Sequence, residues 1–172
     1  IIYSAALMGF FWGQVRLGAR TQSERSWQKA SEVALGHSCD EALPYYVSLK
    51  HRFEDNPYFL YNYAAVFTEA KEYEKALKVA LECRKYWADY DLELLLGDIY
   101  REKKDYKQAE EYYMSASYMC PSRFLPLYQL YELYKCIGNT EKASELAKIL
   151  LEKPAKVNSM LIKRIKYQLK KE

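Results

Sequence analysis

Glycine and proline are scarce in this chain, 6 and 5 among 172 residues. A turn-rich all-β fold or a low-complexity disordered chain uses more of both, so neither class fits. Histidine is scarcer still, with only His37 and His51. The four cysteines, Cys39, Cys83, Cys120 and Cys136, form no Cys-x-x-Cys pair. His37 and Cys39 are two zinc-type ligands with no second pair to complete a site, so no metal is expected. The thiols read instead as small packing residues, and free thiols accord with a reducing compartment. No Gly-rich phosphate loop, Gly-x-Ser-x-Gly elbow or His-Glu-x-x-His pair occurs.

Asp89, Asp91 and Asp98 are close enough in sequence for paired acid/base work. The plainer reading gives Asp89 or Asp91 to a helix cap and puts Asp98 on the groove-facing side of the first helix of its pair. No catalytic residue, no cofactor and no enzyme activity are expected of this chain.

Charge of one sign is also missing. Lys and Arg number 26 against 23 Asp and Glu, a net charge of +3, and the two signs mix along the chain. No basic stripe marks a nucleic-acid surface, so nucleic acid is not an expected partner. The end of the chain is the exception. From Lys153 onward there are seven basic residues (153, 156, 163, 164, 166, 170 and 171) against Glu172 alone.

Long apolar runs are absent too. The segment Ile1 to Trp12 is uncharged, yet it is shorter than the ~20 residues that cross a bilayer. It also lacks the basic start of a signal peptide. Two readings stand for residues 1–15. They are the end of a membrane span beginning ahead of Ile1, or an amphipathic helix docked on the rest of the chain. The chain starts without Met, and the span is the expectation for a longer parent. Trp12 then sits at the interface, followed by Arg16, Arg20 and Arg25 in water. Those arginines lean the following residues to the cytoplasmic side of the membrane.

What the chain has is an apolar half, 50% of its residues, with 18 Tyr against 6 Phe. A Tyr ring packs an apolar body while its hydroxyl reaches a polar partner, which suits thin helical layers. It also has an internal repeat. Cys-Asp-Glu-Ala42, Tyr-Glu-Lys-Ala76, Tyr-Lys-Gln-Ala109 and Thr-Glu-Lys-Ala143 recur at spacings of 34, 33 and 34. The clearest unit adds Leu96, Gly97 and Tyr100 before Ala109, then Tyr113, Ala116 and Pro121 after it. This resembles the tetratricopeptide (TPR) pattern, whose period is 34 residues. The opening Trp of that pattern is replaced by Glu93. The residue types make physical sense: Gly97, Ala109 and Ala116 let two antiparallel helices approach, and Pro121 stops the second.

The other units are looser. The second offers Tyr63, Ala64, Phe67, Ala76, Ala80 and Cys83. The fourth offers Leu130, Tyr131, Tyr134, Ala143, Ala147 and Leu150, with a Gly138-Asn139 turn, and Tyr131 in a small-residue slot predicts a splayed pair. In the first, Ala30, Val33, Ala42, Tyr46 and Leu49 fit, but Lys29 replaces Leu.

The fold expected is therefore all-α, a TPR solenoid of about four antiparallel helix pairs plus a C-terminal capping helix. The expected helices run over 2–35, 40–52, 57–70, 73–87, 90–103, 106–119, 123–137, 140–152 and 158–171. The expected divisions are 1–20, repeats over 21–155 (23–56, 57–89, 90–123 and 124–155), and a basic capping helix at 156–172, read as one domain. In the last helix Leu161, Ile162, Ile165 and Leu169 form an apolar stripe, with Ser159 or Asn158 as cap.

In such a fold the first helix of each pair lines a concave groove. The groove residues expected are Trp27, Tyr58, Tyr61, Asn62, Asp91, Asp98, Arg101, Tyr128, Gln129, Glu132 and Lys135. This mixture suits an extended peptide or a protein loop as partner. Some TPR domains clamp a terminal carboxylate with Lys, Arg and Asn. Asn62 matches one such slot, but Asp91 and Leu95 occupy the basic ones, so chaperone-tail binding is not expected.

Three stretches are more specific. Ala116-Ser-Tyr-Met-Cys-Pro-Ser-Arg-Phe-Leu-Pro-Leu-Tyr128, Tyr90-Asp-Leu-Glu-Leu-Leu-Leu-Gly97 and Lys153-Pro-Ala-Lys156 together resemble the C-terminal repeat region of O-antigen ligase/polymerase-like membrane proteins of Bacteroides-type bacteria. The resemblance covers about residues 25–165. It implies a repeat module following the last membrane helix of a protein of lipopolysaccharide biosynthesis, whose chemistry lies in the membrane part. Two alternatives stand beside it. One is a free-standing soluble adaptor for a peptide motif. The other is a binder of anionic membrane surfaces or polyanions through the basic last helix.

Overall fold

A computed structural model describes residues 20–36, 39–155 and 159–171. Every regular element among them is helical. The first, α1, runs over 20–36. It is followed by α2 (Cys39–Leu49), a single 3-10 turn (Lys50–Arg52), α3 (Pro57–Glu69), α4 (Tyr73–Arg84), α5 (Tyr90–Glu102), α6 (Tyr106–Met119), α7 (Leu125–Cys136), α8 (Thr140–Glu152) and α9 (Met160–Leu169). The expected pairs appear within a few residues of their expected ends. None of these helices is long and apolar enough to cross a membrane. Residues 1–15, His37 and Asn158, on which expectations were placed, lie outside the described residues.

Local chemistry explains the boundaries. Asn56, Asp89, Asp105, Asn139 and Ser159 each accept a backbone N–H of the first turn of α3, α5, α6, α8 and α9 respectively, the usual role of an N-cap. The turns inside the pairs repeat one closure. The amides of Glu72, Asp105 and Asn139 bond the carbonyls of Phe67, Tyr100 and Tyr134, five residues back, at 2.9, 2.9 and 2.8 Å. The residue just before each amide has positive φ: Lys71 at 60°, Lys104 at 63° and Gly138 at 76°. This is the Schellman arrangement that satisfies the last carbonyls of a helix.

The helices group into two compact units, Ile1–Tyr86 and Trp87–Glu172, where the sequence reads as one domain. In a repeat fold each pair packs mainly on its sequence neighbours, so subdivision comes easily. The first unit is built on rings. Trp27 meets Phe53 at 5.3 Å and Phe59 at 5.7 Å; Tyr46 meets Phe59 and lies parallel to Tyr63 at 5.6 Å; Tyr63 meets Phe67 at 4.5 Å. Buried Ala30, Ala42, Ala64, Ala76 and Ala80 let the helices close around them. Cys83 is fully buried and its Sγ donates to the carbonyl of Pro57 at 3.2 Å, a packing thiol as expected. Lys29, the misfit of the first repeat, lies over the Tyr45 ring at 5.9 Å.

In the second unit α5 and α6 approach most closely. Gly97 faces the ring of fully buried Tyr113, with Ala109 and Ala116 also inside. The pair α7 and α8 is less intimate, because Tyr131 is buried where the tighter pair has glycine. On the α6–α8 side, the Tyr134 hydroxyl donates to Glu110 at 2.5 Å and the Lys142 ammonium reaches the same oxygen at 3.1 Å. Helix α9 closes the unit with Ile165 and Leu169 buried and Ile162 partly so. Leu161 departs from the expected stripe and stays 48% exposed, since it falls on the flank of that face. Lys166, one of the seven basic residues of this end, is tied to the neighbouring helix. Its Nζ donates to the carbonyls of Leu151 and Lys153 at 2.8 and 2.9 Å, closing the C-terminal end of α8 where a cation is favoured.

Two outcomes follow. Gly97→Ala gains about 1 kcal/mol of helix propensity, but the new Cβ stands 2.5 Å from Cδ1 of Tyr113, an overpacking that costs about 1–3 kcal/mol. The expected net effect is a lower chemical-denaturation midpoint; a raised midpoint contradicts the packing described. Second, the hydrogen bond from Tyr134, and then Lys142, hold the Glu110 carboxyl below its usual range. Its contribution is therefore complete above the ordinary carboxylate range and is lost as pH falls through the lowered value. Glu110→Gln should reduce stability at pH 7 by less than about 1 kcal/mol, as for a well-solvated pair. The difference should vanish in acid, as read by urea melts at pH 7 and pH 3.

Candidate partner-binding face

The expected groove residues divide between the two units. In the first unit Trp27 is not on the groove. Its ring belongs to the aromatic cluster with Phe53 and Phe59. Ala30, buried twelve residues before Ala42, keeps the register of the repeat, and it is the ring of Phe53, in the loop before α3, that covers this position. Tyr58 is exposed and Tyr61 half-buried on α3. Asn62 lines a shallow depression of about 250 Å³ with Ser31, Tyr46, Val66 and Glu69.

In the second unit the first helices of the pairs, α5 and α7, carry a connected polar set. Asp98 Oδ1 accepts the Tyr113 hydroxyl at 2.6 Å and the Gln129 amide at 3.3 Å. Arg101 donates to Gln129 Oε1 at 3.0 Å, and its second nitrogen lies 3.6 Å from Asp98 and from Glu102. The Asp98 and Arg101 side chains keep about a third of their surface in solvent, 31% and 28%. Three residues expected on this face are thus brought together, and a fourth, Tyr113, anchors them from the core. Burial first, and then the Asp98 carboxylate, push the Tyr113 phenol far above its ordinary value, so it stays a donor over the whole physiological range.

Next to this set runs an aromatic and cationic ladder. Tyr128 stacks on Tyr131 at 5.9 Å, its hydroxyl donates to Gln168 of α9 at 3.1 Å, and the Lys135 ammonium lies over the Tyr131 ring at 5.4 Å. Glu132 is half-exposed on the same helix. Asp91 is separate from both. It lies at the start of α5 beside Asp89, which caps the helix by accepting the Asp91 amide at 2.8 Å.

Asp91 instead borders a cleft of about 730 Å³ with Tyr90, Arg123, Phe124, Lys153 and Leu161. The groove pattern of the first helices did not point to this cleft, because its walls come from the loops before α7 and α9. The only sequence signal was the Pro121-Ser-Arg-Phe break. Arg123 lies over the Tyr90 ring at 5.8 Å, while the Lys153 and Lys166 ammoniums lie 5.7 and 5.6 Å from the centre of the buried Phe124 ring. Burial, and then Asp91, push the Tyr90 phenol up to about 12, with Arg123 opposing. Burial and then Asp89 also raise the Asp91 carboxyl, again with Arg123 opposing. The cleft therefore offers aromatic and aliphatic walls rimmed by both signs of charge, which suits an amphipathic peptide side chain. Among the described residues no cluster of three His, Cys, Asp or Glu side chains forms a metal site.

Asp98 and Tyr113 have a measurable coupling. Asp98→Ala leaves a buried hydroxyl without its acceptor and should cost about 1–3 kcal/mol, whereas Tyr113→Phe should cost about 1 kcal/mol. The double variant should cost less than the two together. Strict additivity in a denaturation cycle breaks this reading of the network.

Neither a family model nor a curated protein matches the sequence. Solved structures do match in shape. A MamA RS-1 double mutant aligns with a TM-score of 0.69 at 16% identity, over 87% of this chain and 78% of its own. A MamA fragment from Desulfovibrio magneticus RS-1 gives a TM-score of 0.70 at 16% identity, over 85% and 76%. A further MamA crystal structure gives 0.65 at 13%, over 73% and 69%. The likeness is one of fold: this chain has the all-helical, TPR-like architecture of those proteins.

Proposed function

We propose that this chain is a non-catalytic scaffold that binds a protein or peptide partner on the first-helix face of its pairs. The observation that carries this reading is the Asp98–Arg101–Gln129 set on α5 and α7, held in place from the core by Tyr113. Half-exposed donors and acceptors fixed in advance lose little freedom when a partner binds. Main-chain amides and carbonyls of an extended segment match them. The neighbouring Tyr128 and Lys135, the latter lying over buried Tyr131, add aromatic and cationic area of the kind enriched at interface centres, and the cleft at Tyr90 and Arg123 takes a side chain.

We further propose, on the resemblance of 90–97, 116–128 and 153–156, that the scaffold is the C-terminal repeat region of an O-antigen ligase-like membrane protein. It would be attached to the membrane through the segment before or including residues 1–15, with the repeats on the cytoplasmic side, and would recruit or order other components of glycan assembly. A fold-level likeness does not supply this function, so it rests on those motifs alone. A multi-span apolar region encoded ahead of Ile1 is the expected finding, and its absence overturns this part.

The binding reading is tested by selecting peptides from a displayed library on the intact chain. Their affinities are then measured against Glu132→Lys, Lys135→Glu and Arg101→Glu. At least a tenfold loss in one or more variants, with an unchanged melting curve, is expected when complementary charges are reversed. Peptides that bind all three variants as tightly as the parent place the site elsewhere.

A further inference from the structure

Helix α9 carries chemistry that neither the core nor the first-helix face uses. Residues 159–171 contain Lys163, Arg164, Lys166, Lys170 and Lys171 and no acidic residue. Lys166 is committed to the end of α8, and Lys171 lies over the Tyr167 ring at 4.6 Å. Lys163, Arg164 and Lys170 form no ion pair with any described residue.

The spacing adds a second feature. Positions 160, 163, 164, 167 and 171 fall on one stripe of a helix, opposite buried Ile165 and Leu169. That stripe interleaves its cations with apolar side chains left in water. Met160 is 79% and Tyr167 60% exposed, with half-exposed Leu161 beside them. Met160, Leu161, Lys163, Arg164 and Tyr167 share one shallow hollow, and Tyr167 and Lys170 border the next. A merely solvated lid has no use for an exposed Met and Tyr among its lysines. A site for a soluble polyanion needs the charges but not the apolar groups.

Charge is also segregated along the chain. The seven basic residues and one acidic residue from Lys153 onward leave 19 basic and 22 acidic for residues 1–152. A negatively charged surface therefore attracts this end and repels the rest.

We propose that the outward face of α9 docks on the surface of an anionic lipid bilayer. Lys163, Arg164 and Lys170 engage headgroup phosphates, and Met160, Leu161 and Tyr167 enter the boundary between headgroups and acyl chains, as an interfacial amphipathic helix does. The inference stands apart from the partner-binding reading, since it uses none of the residues on α5 and α7.

The test is flotation of the full chain with two kinds of vesicle, neutral phosphatidylcholine and phosphatidylcholine mixed with phosphatidylglycerol. Residues 1–15 are present in every sample, so their contribution cancels between variants. Binding to the anionic vesicles should be at least about tenfold tighter than to neutral ones and should weaken as salt is raised. Combining Lys163→Glu, Arg164→Glu and Lys170→Glu should bring it down to the neutral-vesicle level. Met160→Ser with Tyr167→Ser should cost several-fold while all charges remain. Circular dichroism melts check that the variants fold; if the charge variant does not, the Met160 and Tyr167 variant and the salt series decide.

Equal binding to both vesicles, or a charge-reversed variant that binds like the parent, overturns the proposal. Tight binding to heparin without vesicle binding overturns it in favour of a soluble polyanion. Self-association that Tyr167→Ser abolishes, again without vesicle binding, overturns it in favour of a second copy of this chain.

Discussion

The second unit depends on one close approach, the face of Gly97 on α5 against the ring of Tyr113 on α6. Without a side chain at 97 the two helices come near enough for Tyr113 to be wholly enclosed. An enclosed phenol needs an acceptor, and Asp98, the next residue along α5, supplies it. The carboxylate then orders Arg101 and Gln129. A packing requirement inside the pair is thereby turned into a fixed polar pattern outside it. A protein interior tolerates little slack, so the position of Tyr113, and with it the hydrogen bond that Asp98 accepts, is set by the packing of the pair.

The first unit reaches a similar end by other means. It has no glycine at the matching slot, and Ala64 takes that place, fully buried. Space is filled by a run of rings from Trp27 through Phe59 and Tyr46 to Tyr63 and Phe67. Rings in tilted and offset contact add directional preference to the area they bury. The Tyr46 hydroxyl, paired with Ser31 at 3.1 Å, shows why tyrosine outnumbers phenylalanine: each pair is thin, and a ring in it ends near a polar atom.

The helix pairs were legible because their signals are local and periodic. Ala42, Ala76, Ala109 and Ala143 mark each second helix, and all four are buried. Gly138-Asn139 marks a turn, and Asp89 and Ser159 mark caps. Cys83 was correctly read as packing for the same reason. Trp27 was misplaced although its register is right: Phe53 and Phe59 pack on its ring, and no repeat position announces a ring supplied by the loop before α3. Leu161 was misread because a stripe of apolar residues locates a face only to within its edges. The cleft at Arg123 and Lys153 was invisible for another reason: loops distant in sequence build it, and no period links them. Asp98, Arg101 and Gln129 were expected from the sequence to line one groove. The sequence did not reveal that they bond one another, which depends on the crossing of α5 and α7.

The inner turns have an implication for how such a chain changes over time. Two of the three close with a lysine in a left-handed conformation that glycine adopts more cheaply. Lys71 and Lys104 therefore do not direct their turns; the packed helices on either side impose the bend and the lysines comply. A turn dictated from outside tolerates a residue that is not the cheapest one for it, so the bend persists where the position holds a lysine. The memory of the repeat lies in the buried alanines, and the loops are free to vary around them.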